Sequence, residues 1–209
     1  MNKENFGLSE KEFSILKKLN TPSKIQDFLN SLKINFEENG DTCMSPRKVL
    51  REKKAHCMEG AMLAALALKI NGYPPLVVDL VSIPKDLDHV IAVFKKNNHW
   101  GALGKTNHAV LRYREPIYKT IRELVLSFFH EYFDNSSGVK TLREYSMPID
   151  LSIFDKYNWI TSEEDVWYIP DYLANAPHKK ILNKSQISSL RKADLIERKA
   201  GELLEYNRK

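Results

Sequence analysis

The sequence predicts an α+β domain in which a short antiparallel sheet packs on a buried helix, with additional helices around it. Two observations carry this prediction. The stretch 61–70 is apolar on nearly every side, which is typical of a helix enclosed by protein. The stretches 76–83 and 89–94 are rich in β-branched residues, and with 99–104 they predict consecutive strands joined by short turns.

The N-terminal part predicts three helices, each with a recognisable start. Ser9 and Glu12 fit a capping box. Thr21 caps a second helix that carries Pro22 at its first position. A Ser-Pro pair at 45–46 starts a short basic helix that precedes the buried one. We expect these N-terminal helices to cover the sheet.

The pattern is less regular beyond the third strand. The segment 118–133 is amphipathic and predicts a helix, whereas 147–177 is mixed and aromatic and predicts no particular element. The segment 185–206 predicts a last helix with one apolar side. We therefore expect one domain over residues 1–178 and a basic C-terminal helix within 179–209 that packs on it.

The composition of the 209 residues is that of an ordinary globular protein. No apolar stretch approaches the roughly 20 residues that a membrane span requires, and the first residues carry no signal-peptide pattern. Two cysteines are too few for a disulfide framework. We expect a cytoplasmic protein with free thiols and no membrane partner.

The net charge of +5 arises mainly from two basic segments, 45–54 and 179–209. Basic segments can bind nucleic acid. Acidic residues are interleaved in the second segment, however, and no pattern of stacking aromatics accompanies it, so solvated helix faces are the favoured interpretation and nucleic acid the less favoured partner. The chain has no C-x-x-C or H-E-x-x-H motif, and we expect no metal and no cofactor.

Cys57 stands where the buried helix should begin. A thiol attacks as its thiolate, and the free N–H groups of a helix N-terminus favour that charge. His89 begins a strand of a sheet that should lie on the same helix, so the strand edge can bring an imidazole to the helix tip. Taken alone, an inert cysteine and an ordinary histidine are the simpler interpretations. The order of the elements favours a Cys57–His89 pair.

Two segments carry a resemblance to a known family. They are AHCMEGAMLAALALKINGYPPLVVDL (55–80) and DHVIAVFKKNNHWGALGKTNH (88–108), and they resemble the transglutaminase-like superfamily of papain-like cysteine enzymes. The region 116–148 is similar to a bacterial, uncharacterised subgroup. The resemblance implies a papain-like fold with Cys57 as nucleophile and His89 as base. It also implies hydrolysis or acyl transfer on a peptide, amide or ester substrate of unknown identity.

The chain departs from that family at the third residue of the site. The family usually places an aspartate a few positions after the tryptophan of the third strand, where this chain reaches Gly104. An asparagine orients the histidine in papain-like enzymes, so Asn107 is the first candidate, with Asp79 and Asp88 as alternatives. The missing aspartate motivates a second hypothesis, a binding module that kept the fold and lost the chemistry.

An oxyanion hole would require the backbone N–H of Cys57 and one further donor. The candidates for that donor are His56, Lys54 and Trp100, and the sequence does not choose among them. His56 has a second interpretation as a neighbour that tunes the charge of the thiol.

Overall fold

The structure is a computed structural model that describes residues 5–207, and it has an α+β fold with a mostly antiparallel sheet and several helices. The strands are β1 (Lys33–Ile34), β2 (Lys54–Ala55), β3 (Leu76–Val81), β4 (His89–Lys96), β5 (His99–Leu103), β6 (Arg114–Tyr118), β7 (Glu144–Ser146), β8 (Ile149–Asp150) and β9 (His178–Lys180). The helices are α1 (Glu10–Lys18), α2 (Pro22–Ser31), α3 (Pro46–Glu52), α4 (Cys57–Ile70), α5 (Ile121–Phe129), α6 (Tyr168–Asn175), α7 (Lys184–Ser188) and α8 (Leu195–Gly201). A 3₁₀ helix covers Leu151–Tyr157.

The main sheet has the strand order β6-β5-β4-β3-β7-β9, and β8 also pairs with β3. All of its pairings are antiparallel, while β1 and β2 form a separate parallel pair. The β4–β5 hairpin turns at Asn97 and Asn98, which both adopt positive φ, as a tight two-residue hairpin requires. At the opposite end of β4, His89 lies directly across from Leu80 of β3.

Helices cover the sheet on both faces. Val77, Ala92 and Phe94 join the core that contains α4, whereas Val78 and Ile91 join a second core that contains α5. All residues of α4 except its first and its penultimate one are buried. The predicted enclosed helix and the three strands after it are therefore confirmed, and they place the tip of α4 beside the start of β4.

The predicted starts of the N-terminal helices are also confirmed. The Ser9 side chain accepts a hydrogen bond from the Glu12 N–H, and the Glu12 carboxylate accepts one from the Ser9 N–H. Thr21 caps α2 through the Lys24 N–H. Short polar side chains at these positions satisfy N–H groups that the helix itself leaves free.

The prediction of one helix over 118–133 is wrong at both ends. Tyr118, its predicted first residue, instead ends β6, which pairs with β5, and α5 covers only Ile121–Phe129. Pro116 is tolerated because β6 is an edge strand, where one face of the backbone needs no partner. Pairing with β5, a tertiary contact, overrides the helical pattern at this end.

The single C-terminal helix predicted over 185–206 is also wrong, because this stretch forms the two short helices α7 and α8. Between them the backbone N–H of Ala193 donates to the Gly138 carbonyl at 2.8 Å. That contact takes the N–H out of any continuous helix, and Asp194 with Glu197 starts a new one through a capping box. None of the helices within residues 5–207 is long and apolar enough to cross a bilayer.

Candidate active site

Cys57 is the first residue of α4, and its side chain is partly exposed. His56 precedes it as the N-cap, and Glu59 completes a capping box by accepting the His56 N–H at 2.9 Å. Histidine is an unusual cap, but the x-x-Glu spacing is that of a capping box. The result is a thiol at the positive end of a buried helix, flanked by an imidazole.

Gly60 allows the chain beyond β5 to pass close to this end of the helix. A Cβ at Gly60 would overlap the Cβ of Lys105. The Lys105 side chain is 1% exposed and donates to the Leu32 carbonyl at 2.5 Å. Burial, the main cause, lowers the pKa of Lys105 to about 8. Because Gly60 has no side chain, the buried Lys105 can pack against the first turn of α4.

His89 meets Cys57 from the sheet. The side chains of His56 and His89 both lie close enough to the Cys57 sulfur to lower its pKa. His89 is 6% exposed, and its Nε2 is buried with no hydrogen-bond partner among the described residues. The structure thus brings together Cys57, His56 and His89, three of the residues predicted from the sequence. One nitrogen of the His89 ring, Nε2, has no hydrogen-bond partner among the described residues.

These contacts set the ionisation of the thiol. Burial by itself raises the pKa of Cys57, but hydrogen bonds from His56 and His89 and the positive charge of the two rings lower it to about 5. The second cysteine provides a contrast within the same chain. Cys43 is 1% exposed in the core, and burial raises its pKa above the ordinary value. Cys57 is therefore the thiol that is ionised at neutral pH.

His56 lies in an acidic environment. Its Nε2 is 2.9 Å from the Thr42 carbonyl, 3.4 Å from the Glu59 carboxylate and 3.7 Å from the Glu37 carboxylate. Burial acts to lower the pKa of His56, but the hydrogen bond to Cys57 and the charges of Glu59 and Cys57 raise it to about 9. His56 is thus an imidazolium at neutral pH.

Gly104 occupies the place beside His89 where a carboxylate is expected. A Cβ at Gly104 would lie 3.4 Å from His89 Nε2, so the position faces the unsupported nitrogen. The same Cβ would lie 2.9 Å from the Leu111 carbonyl, closer than real contacts allow. Leu111 itself has a φ of 61°, a strained value for a large side chain. The loop therefore fills the space that an aspartate would need.

The other candidates for the third residue have partners elsewhere. Asn107 holds the C-terminal segment, because its amide donates to the Tyr206 carbonyl at 2.8 Å and accepts the Tyr206 N–H at 2.9 Å. Asp88 accepts hydrogen bonds from the Ser82 backbone and hydroxyl. None of these contacts reaches the His89 ring.

Asp79 pairs with a histidine that lies far away in sequence. His178 Nε2 is 3.1 Å from the Asp79 carboxylate, across the β3-β7-β9 side of the sheet. Burial, the largest effect, raises the pKa of Asp79, and the charge of the Cys57 thiolate also contributes to the rise. Asp79 and His178 thus lie near the thiol but form a pair of their own.

Trp100 does not reach the thiol. It pairs with Lys95, six positions along β4 from His89, which is about 20 Å at roughly 3.3 Å per strand residue. The Lys95 ammonium lies over its ring at 5.4 Å. Trp100 therefore cannot donate to an oxyanion held at Cys57.

A cleft of about 620 Å³ opens over Cys57, His56 and His89. Its walls come from three loops, within 86–88, 105–111 and 131–135, and from Gly201 near the C-terminus. The volume is in the range of small-molecule and peptide sites. Within residues 5–207 no three histidine, cysteine or carboxylate side chains are grouped so that they could hold a metal ion.

Sequence reasoning missed two contributors to this site. Glu59 could have been found, because the spacing His56-x-x-Glu59 is a capping-box pattern. His178 gave no signal, since it lies 99 positions from its partner Asp79 in a strand of three residues.

The chain matches no protein-family model and no curated protein.

Proposed function

We propose that the chain is a papain-like thiol enzyme of transglutaminase-like type that hydrolyses or transfers an acyl group from an amide or ester. One observation carries the proposal: a thiol with a pKa of about 5 starts a buried helix, faces an open cleft and lies beside His89 of the sheet, which lowers its pKa. A cysteine that served only packing would have the raised pKa of Cys43.

The chemistry follows from these positions. The Cys57 sulfur attacks the carbonyl carbon, the C–S bond forms, and the bond to the leaving nitrogen or oxygen breaks as His89 gives that atom a proton. Water or an amine then attacks the thioester while His89 takes up its proton, and the thiolate is released. The N-terminus of α4 lies where negative charge develops on the carbonyl oxygen.

The test is turnover of p-nitrophenyl esters and p-nitroanilides by the purified chain. Cys57→Ser and His89→Asn should each lower kcat/KM by about 100-fold or more, the usual contribution of a nucleophile or a proton carrier. Cys43→Ala is the matched control, because it removes the other thiol and should leave turnover intact. Equal turnover in wild type and Cys57→Ser would refute the proposal.

A second candidate is a binding module that retains the fold without the reaction. The buried, unpartnered Nε2 of His89 and the absence of a side chain at Gly104 favour it, because within residues 5–207 no side chain bonds that nitrogen as a third residue would. In that case the cleft should bind a peptide or amide with the same affinity in wild type and Cys57→Ser, and no substrate should be consumed.

A further inference from the structure

The two imidazoles on the Cys57 sulfur have different surroundings. Behind His56 lie the Glu59 and Glu37 carboxylates, 3.4 and 3.7 Å from its Nε2. The Nε2 nitrogen of His89, by contrast, is buried and has no hydrogen-bond partner among the described residues. Among residues 5–207 the histidines paired with carboxylates are His56 and His178, and His178 serves Asp79. His56 is therefore paired with two carboxylates, whereas Nε2 of His89 has no hydrogen-bond partner among the described residues.

Glu59 explains why His56 should carry a charge. Its side chain is fully buried, with 0% exposed. The carboxylate accepts hydrogen bonds from the Asn35 amide, the Thr42 hydroxyl and the Met44 and His56 N–H groups, at 2.9 to 3.2 Å. A buried carboxylate is expensive unless a cation balances it. Within residues 5–207 the base within 4 Å of Glu59 is His56.

His89 lacks the equivalent support. A protonated ring carries an N–H on both nitrogens, and Nε2 would bury one of them without an acceptor. The Gly104 backbone and the Leu111 carbonyl crowd the space on that side. Among the described residues no carboxylate pairs with His89 as Glu59 does with His56.

We propose that His56, backed by the buried Glu59, is the positioning residue that holds Cys57 as a thiolate, so that His89 is left to carry the proton. This division rests on the proposed function for its catalytic meaning. The state of the sulfur, however, can be measured without any substrate.

In the proposed reaction cycle His56 stays protonated, and only His89 gives up and regains a proton. Formation of the thioester moves one proton from His89 to the leaving atom, and attack by water or an amine returns one proton to His89. His56 Nε2–H donates to the Thr42 carbonyl at 2.9 Å. A protonated Nδ1 cannot accept the Met58 N–H, which lies 3.3 Å away, so full protonation of the ring gives up this contact.

Other ionisable groups also face the sulfur and the two rings. They are Asp79 on β3 with its partner His178 on β9, Glu37, Asp86, Asp88, Lys105 and Tyr132. The charge of the thiolate raises the pKa values of Asp79 and Tyr132, so neither group stabilises it. The Lys105 ammonium is directed to the Leu32 carbonyl instead. Among these groups, His56 is thus the cation near the sulfur that is paired with a buried carboxylate, that of Glu59.

The experiment is a pH titration of the Cys57 thiolate, followed by ultraviolet absorbance and by the rate of iodoacetamide alkylation at the Cys57 peptide. Wild type is compared with His56→Asn, Glu59→Gln and His89→Asn. Asparagine at 56 keeps an oxygen that can cap the helix while it removes the charge. His99→Asn is the control, because His99 lies at the far end of the β4–β5 hairpin.

His56→Asn should raise the thiol pKa by about 1–3 units, the effect of losing one opposite charge at contact distance, and Glu59→Gln should raise it in the same direction. His89→Asn should raise it by less than His56→Asn does. If Glu59→Gln does not fold, the comparison of His56→Asn with His89→Asn decides the matter alone. A larger rise in His89→Asn than in His56→Asn overturns the proposal. A thiol pKa that depends on His56, in a protein without turnover, would refute the proposed function and leave this inference standing.

Discussion

A pH profile of Cys57 reactivity toward a disulfide reagent such as 2,2′-dithiodipyridine tests the electrostatics of the site quantitatively. With a pKa of about 5, roughly 90% of Cys57 is thiolate at pH 6. Free cysteine, with a pKa of about 8.5, is then only about 0.3% ionised. The thiolate fraction alone therefore favours Cys57 by about 300-fold at this pH.

A weaker base is also a weaker nucleophile, and this offsets part of the advantage. With a Brønsted coefficient of about 0.45, a difference of about 3.5 pKa units slows the thiolate itself by about 40-fold. Cys57 should thus react about eightfold faster than free cysteine at pH 6, equally fast near pH 7 and about 20-fold slower at pH 8.5. If the cleft restricts access of the reagent to Cys57, all three rate ratios change by the same factor. The shape of the pH profile is then unchanged.

The assay is stopped-flow release of thiopyridone, with the modified residue identified by peptide mass spectrometry. Cys43, which is buried and has a raised pKa, should not react while the chain is folded. The expected profile levels off above about pH 6, since the thiol is then fully ionised. A rate that climbs through pH 8 to 9, as that of an ordinary thiol does, would refute the lowered pKa and the contacts that cause it.

Three further substitutions test other parts of the account. Gly60→Ala should destabilise the fold by about 1–3 kcal/mol in urea unfolding, because its methyl group meets the packed loop behind α4, and an unchanged midpoint would contradict that contact. Asn107→Ala removes two hydrogen bonds to Tyr206, so amide exchange in 203–206 should accelerate while the Cys57 thiol pKa stays constant. His178→Phe leaves the Asp79 carboxyl buried without its partner and should cost about 1–3 kcal/mol. His178 lowers the pKa of Asp79 against the effect of burial, so its removal should raise that pKa further, and the loss of stability relative to wild type should grow as the pH rises above the unfolded pKa of Asp79.

Local signals were sufficient to predict the elements that position the site. The Ser9 and Thr21 caps, the enclosed run of α4 and the β-branched stretches of β3 and β4 each act within a few residues, and each element formed as predicted. The same signals placed Cys57 and His89 at the facing ends of a helix and a strand.

Features that depend on distant partners were not predictable in this way. The strands β7 and β9 have three residues each and exist because β3 offers an edge for β7, and β7 offers one for β9. Tyr118, the first residue of a predicted helix, belongs to β6 for the same reason. At the site, the use of Asn107 to hold the C-terminal segment and the pairing of Asp79 with His178 join residues 99 positions apart. No window of sequence contains such information.

The central claim is that the Cys57 sulfur acts as a nucleophile toward carbonyl carbon. Its most direct test is mass spectrometry of the chain after brief exposure to p-nitrophenyl acetate and quenching in acid, which preserves a thioester. We expect one acetyl group on the peptide that contains Cys57, formed much more slowly in His89→Asn. Acetylation confined to surface lysines, at an equal rate in Cys57→Ser, would contradict it.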